Sequence, residues 1–166
     1  MLQSGLRKTA NAGGGIKRVA VIGAGAAGLA FGKVGKDLFE RLDIYEASGH
    51  VGGIWKYHNG FNDVMYSDLV TNLPKTVMQF GADDVFVGAS SSTSSFATRA
   101  EVQTYLEEFC EKYNLTPLVA FNTRVTRVSK QGEIWTVESQ KKGSPSTTCS
   151  HYDAVVVCNG HYAVPV

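Results

Sequence analysis

The chain has 166 residues, 43% hydrophobic and 19% charged, with a formal net charge of +1. That composition suits one ordinary domain with a real core and excludes a basic field for nucleic acid or an anionic membrane. No run reaches the roughly 18 apolar residues of a bilayer span. Cys110, Cys149 and Cys158 lack C-x-x-C spacing, so neither a disulfide framework nor a zinc site is expected, and a reducing compartment is the default. His50, His58, His151 and His161 show no i, i+4 pairing and read as turn or surface residues rather than metal ligands.

Residues 1–15 carry Gly, Ser, Asn and Ala with no apolar period, and a flexible leader is expected there. No acid precedes Asp37, while Arg7, Lys8, Lys17 and Arg18 are basic. Such a start also fits an organellar transit peptide, but an unstructured tail is the simpler reading.

The folded part is expected over 16–166. Val19, Ala20, Val21 and Ile22 form a short apolar run of the kind that makes a buried parallel strand. It stops at Gly23, and Gly23, Gly25 and Gly28 then make a G-x-G-x-x-G pattern. The first glycine permits a tight turn, the second lets backbone approach a pyrophosphate, and the third lets helix pack on strand. The helix that follows, with Ala26 and Ala27 in its first turn, offers free N–H groups and a positive dipole end to a phosphate. Gly32 and Gly35 each cost that helix about 1 kcal/mol relative to alanine, so it must hold by packing on a sheet. A second apolar strand over 42–45 ends in Glu46, 18 residues after Gly28. An acid there accepts hydrogen bonds from both ribose hydroxyls of an adenosine. A lone glycine pattern is weak, but a strand before it, a helix after it and an acid ending the next strand are the context that a dinucleotide site requires.

Ala47 then leads to Gly52 and Gly53, followed by Ile54 and Trp55. Paired glycines let backbone run against a flat or charged ligand, so they read as a second cofactor contact, with Trp55 packed beside them. Residues 57–63 are irregular, and Asn72 before Leu73 and Pro74 is in itself only a turn former. Pro74 is expected to open a helical turn with Val77, Met78 and Phe80 buried. Residues 88–95 are polar and low in complexity, a mobile surface loop. Thr98 and Glu101 form a capping box for an amphipathic helix over 99–113, with Val102, Tyr105, Leu106, Phe109 and Tyr113 on its apolar face. Leu115 leads into a strand. Residues 124–129 and 133–139 alternate about a Gln131-Gly132 turn, an antiparallel hairpin or meander with one face buried. Residues 152–158 are a continuous apolar strand, expected at the centre of the parallel sheet, and Gly160 just past it places backbone at the ligand edge.

Taken in order, segments 23–29, 46–55, 66–75 with Met78 and Phe80, Tyr105-Leu106, and 152–161 resemble the flavin-containing monooxygenases, within the two-dinucleotide-binding flavoproteins. Gly52-Gly53-Ile54-Trp55 and the stretch from Thr71 to Lys75 are more specific to that branch than the glycine turn. The resemblance implies an α/β fold: a Rossmann-like FAD-binding domain with a three-layer parallel-sheet core and an inserted antiparallel β-meander, incomplete at this length. It implies that Gly23, Gly25, Ala26, Ala27 and Gly28 hold the FAD pyrophosphate and Glu46 the ribose. Gly52, Gly53, Ile54 and Trp55 would lie along the cofactor toward the flavin, with Ala47 and Gly160 also among the cofactor-binding residues. Asn72 matches the catalytic amide beside the flavin, a group that both donates and accepts hydrogen bonds. The implied reaction uses FAD, NADPH and O2 to oxygenate a soft nitrogen or sulfur of a small-molecule substrate, as in an N,N-dimethylaniline monooxygenase. No metal is implied, and the cytoplasm is the expected location.

Several features depart from the family pattern. Cys158-Asn159-Gly160 stands where the family usually has Ala-Thr-Gly, and no proline precedes Phe86. No second glycine motif for NADPH occurs, so the chain is expected to be the N-terminal part of a longer enzyme, inactive alone, with membrane anchoring by further sequence left open. Two alternatives stand: a non-catalytic FAD- or nucleotide-binding module or truncated product, and a Baeyer–Villiger-type monooxygenase. Gly52-Gly53 with Trp55 fits either monooxygenase branch, while Asn72-Leu73-Pro74-Lys75 favours the first. A thiol–disulfide reductase is disfavoured, because no cysteine pair follows the glycine motif.

Overall fold

A computed structural model describes residues 15–58, 64–86 and 93–161. The leader expected over residues 1–15 therefore lies outside the described residues except for Gly15, as does most of the loop expected over 88–95. β1 (Arg18–Ile22) runs in a four-stranded parallel sheet between β2 (Arg41–Tyr45) and β9 (Ala154–Val157), with β5 (Val119–Ala120) beyond β2. The strands are in step: Ile22 pairs with Tyr45 and with Val157, and Tyr45 with Ala120. Their C-terminal ends thus form one level edge, and Gly23, Glu46 and Cys158 leave the sheet side by side. Ligands of open α/β sheets bind at this edge.

Both faces of the sheet are covered, which is why residues 19–22 and Ala154–Val157 are continuous apolar runs, whereas β2 carries Arg41 and Asp43. On one face Val19, Val21, Leu42 and Ile44 pack against α1 (Ala26–Gly35) and α3 (Arg99–Lys112). On the other, Ala20 and Tyr45 pack against Val137 and Tyr152 of an antiparallel sheet ordered β6 (Thr123–Gln131), β7 (Ile134–Lys141), β8 (Thr147–Tyr152). The buried residues of α1 are Gly28, Leu29, Gly32 and Gly35, so its glycines face the sheet and the helix is held by packing, as its poor propensity requires. The expected capping box of α3 is formed: Thr98 Oγ1 accepts from the Glu101 amide and Glu101 Oε2 from the Thr98 amide.

Three local expectations are corrected. The single strand expected over 152–158 is divided at Asp153, and its second half, β9, lies at the sheet edge rather than the centre among the described residues. The cause is the Asp153 carboxylate, which accepts hydrogen bonds from the Lys17 and Arg18 amides at 2.9 and 2.8 Å and from Arg18 Nη2 at 2.7 Å. These bonds pull the chain off β7 and onto β1, and the Arg18 guanidinium with the two amides holds the Asp153 carboxyl well below the usual carboxylate range. The stretch around Asn72 is a strand, β3 (Val70–Pro74), paired antiparallel with β4 (Phe96–Thr98). Val77 was expected to be buried but is 63% exposed, because α2 (Lys75–Met78) is a single turn that directs only Met78 inward, followed by Phe80.

Candidate functional site

The site begins where β1 ends. Gly23 takes a φ of +103°, and a Cβ there would stand 2.4 Å from the Cys158 carbonyl oxygen. Its amide donates to the Tyr45 carbonyl at 2.8 Å, tying the turn to the end of β2. Gly25 is the N-cap of α1 and offers no capping side chain, and no acid stands in the first turn at Ala26 and Ala27. The positive end of the helix is therefore left to whatever lies in front of it. Gly28 is required by contact: a Cβ there would be 1.9 Å from the Gly23 carbonyl oxygen.

Glu46 closes the turn from the side. Its Oε2 accepts from the Ala24 amide at 2.9 Å, and Oε1 accepts from the amide and hydroxyl of Ser48, each at 2.8 Å. Its backbone is locked as well, to Ala120 and Thr123. A carboxylate has roughly four acceptor positions, of which the chain itself takes three. Ala47, next to it, lines an open groove of about 430 Å³ that also includes Asn122, Arg124, Lys141 and Lys142.

The paired glycines come back to the turn. Gly52 takes a φ of +105° and donates from its amide to the Ala24 carbonyl at 3.0 Å. A Cβ at Gly53 would lie 3.3 Å from the Gly25 Cα, so two side-chain-free stretches of backbone face each other. Ile54 is partly exposed, and Trp55 packs against the core as expected. Gly160, with a φ of +73°, is exposed two residues past Cys158. The structure thus gathers Gly23, Gly25, Ala26, Ala27, Gly28, Glu46, Ala47 and Gly53 at one end of the sheet. Asn72 is not gathered by that sheet: it is exposed on β3, in the separate two-stranded sheet.

Side chains that sequence reasoning passed over hold this arrangement. Gln103 of α3 is 6% exposed and its Nε2 donates to the Val51 carbonyl at 3.1 Å and to Glu107 at 2.6 Å. Arg99 Nη1 donates to the Trp55 carbonyl at 2.9 Å. Lys75, just after β3, makes a buried ion pair with Glu101 at 2.8 Å. Arg99, Gln103 and Glu107 recur at a spacing of four, a legible helical stripe, but nothing local says that a distant loop lies against it. His50 and His58 lie with ring centroids 4.7 Å apart and planes tilted by 39°, and burial, the second histidine and Lys56 lower the His50 pKa.

Residues 16–166 match the family described as flavin-binding monooxygenase-like. The chain belongs to that family. A flavin-containing monooxygenase of Arabidopsis thaliana, FMO GS-OX-like 4, is 33% identical over 89% of this chain and 37% of its own length. Among solved structures of the family's fold, S-allyl-L-cysteine S-oxygenase from Allium sativum superposes with a TM-score of 0.76 at 32% identity, over 87% of this chain and 36% of that one. Tmm from Pelagibacter sp. gives a TM-score of 0.78 at 28% identity, over 90% of this chain and 38% of that one. The chain therefore spans little more than a third of the length of these relatives. Among the described residues no helix is long and apolar enough to cross a membrane.

Proposed function

We propose that this chain supplies the FAD-holding part of a flavin-dependent monooxygenase that uses FAD, NADPH and O2 to oxygenate a soft nitrogen or sulfur of a small-molecule substrate in the cytoplasm. One observation carries the reading: the uncapped start of α1 at Gly25 abuts Gly53 with no side chain on either, and the Glu46 carboxylate stands beside it. A pyrophosphate matches that helix start, since it accepts hydrogen bonds from amides and complements the dipole. A ribose matches Glu46, which has one acceptor position left; holding both ribose hydroxyls requires the Ser48 hydroxyl to turn aside. The groove at Ala47 leaves room for the adenine ring.

Bound FAD supplies the redox and oxygen chemistry. The chain's own residues bind and orient it: Gly23, Gly25, Ala26, Ala27 and Gly28 by backbone, Glu46 by its carboxylate, and Gly53, Ile54, Trp55 and Gly160 along its length. Asn72 serves as the amide near the reacting atoms, able to donate and to accept. NADPH is assigned no residue of this chain. The name of the Allium sativum relative, an S-oxygenase, favours sulfur as the oxygenated atom.

A second reading, a nucleotide-binding module without catalysis, is favoured by Asn72 standing exposed on a sheet separate from the glycine turn. FAD titration of the purified chain, followed by flavin fluorescence, tests the first. Saturable binding is expected, weakened by Glu46→Ala and abolished by Gly25→Val in a chain still folded by circular dichroism. A Cβ at Gly25 meets only ordinary contact, 3.7 Å from the Gly53 Cα, and the valine methyls extend beyond it, so the circular dichroism of the variant separates loss of the ligand's space from loss of the fold. Unchanged binding in Gly25→Val overturns the site. NADPH-dependent oxygen uptake by the chain alone overturns the second reading.

A further inference from the structure

The second glycine loop is held by one face of α3. Arg99, Gln103 and Glu107 lie four residues apart and reach it at three points: Arg99 Nη1 to the Trp55 carbonyl at 2.9 Å, Gln103 Nε2 to the Val51 carbonyl at 3.1 Å, and Glu107 to Lys56 Nζ at 3.3 Å. Gln103 is the central and most buried of them. Both partners of its Nε2 are acceptors, which fixes the orientation of the amide. Its Oε1 is buried and accepts no hydrogen bond among the described residues, and it lies only 2.1 Å from where a Cβ of Gly52 would stand. Gly52 in turn donates to Ala24, and Gly53 abuts Gly25. A contiguous path therefore runs from α3 through Gln103 and Gly52 to the helix start that faces the ligand.

α3 is itself anchored at its first turn. Glu101 serves the capping box and the buried ion pair to Lys75, which directly follows β3. One helix thus sets the place of Gly53 and of the strand that carries Asn72, although these belong to different parts of the fold.

We propose that Gln103 is a positioning residue: by holding the Gly52-Gly53 loop against the glycine turn it sets how tightly the flavin half of FAD is held, leaving the ADP half to the turn and Glu46. This rests on the FAD reading above. The contacts separate the two halves. The turn is fastened to the sheet by Gly23, Ala24 and Glu46 without help from α3, whereas the loop's side-chain contacts at Val51, Trp55 and Lys56 all come from α3.

The test compares FAD and ADP affinity in the wild-type chain, in Gln103→Met and in Arg99→Met, with circular dichroism of the protein and visible circular dichroism of bound flavin. Gln103→Met keeps the side-chain length and removes both donated bonds. It is expected to weaken FAD about tenfold while ADP affinity changes less than about twofold, and to alter the flavin signal. A merely structural role would weaken both ligands together and leave their ratio unmoved. Should Gln103→Met not fold, Arg99→Met, at the loop's far end, decides in the same way. An unchanged FAD-to-ADP ratio in a folded variant overturns the inference, and so does a wild-type chain that binds FAD no more tightly than ADP, which leaves the pyrophosphate site standing. A folded wild-type chain that binds neither ligand overturns the dinucleotide reading and this inference with it.

Discussion

The glycine turn and the second glycine loop meet face to face, yet they are made in opposite ways. The turn is backbone against backbone: Gly28 makes room for the Gly23 carbonyl and Gly23 for that of Cys158, where three strands end level. The loop is backbone against side chains from a distant helix, with Gln103 reaching Val51 across 52 residues. A surface made by local geometry is fixed once its strand and helix form. A surface made by borrowed side chains depends on how the helix that lends them is docked. The same ligand-facing surface is therefore rigid on one side and adjustable on the other.

Three changes would break or sharpen that contrast. The largest effect is expected from Gly28→Ala, which puts a Cβ 1.9 Å from the Gly23 backbone oxygen and forces helix or turn to shift. A loss above about 4 kcal/mol is expected, seen as the absence of a cooperative thermal transition. A folded Gly28→Ala chain would show the turn to be as adjustable as the loop. Gly52→Ala should cost less, about 1–3 kcal/mol of backbone strain at a positive φ plus crowding against Gln103, a fall in Tm of about 8 °C. Adding Gln103→Ala restores the space but not the strain, so a double-mutant cycle should show favourable coupling between the two sites. Zero coupling would mean that the loop does not depend on α3.

The smallest effect tests the docking of α3 on α1. Asp84, with its side chain 1% exposed, pairs with Lys33 of α1 at 2.6 Å and Lys112 of α3 at 2.9 Å, and accepts from Tyr113. Burial pushes its carboxyl up, but the hydrogen bonds from Lys33, Tyr113 and Lys112 outweigh it and hold the pKa at about 2 rather than 3.8. A depressed folded-state pKa contributes stability that is present above the unfolded value and lost as pH falls through the folded one. Asp84→Asn should therefore lower Tm by about 3 °C near neutrality. The gap to wild type should close between pH 3.8 and about 2. A gap that does not narrow on acidification would remove Asp84 as the link between the two helices.

Legibility follows the range of the contacts. The capping box of α3 spans three residues and was readable, as was the strand–turn–helix at Gly23. Strand β3 was hidden because its partner, β4, follows a long connection, and its two-stranded pairing leaves Val70 and Leu73 exposed, erasing the alternation that marks a strand. The break at Asp153 was hidden because an apolar run does not show which residue will accept two amides from a strand 135 positions away.

By itself, the sequence determined the α/β class, the order of turn and acid at the sheet's edge, and the family, because each rests on residue types at fixed short spacings. Only the tertiary structure decided that β9 lies at the sheet edge among the described residues, that Glu46 spends three acceptor positions on the chain itself, and that Gln103 stands behind Gly52. Those facts come from pairing and packing between distant segments, and a side chain carries no mark of the partner that folding will bring to it.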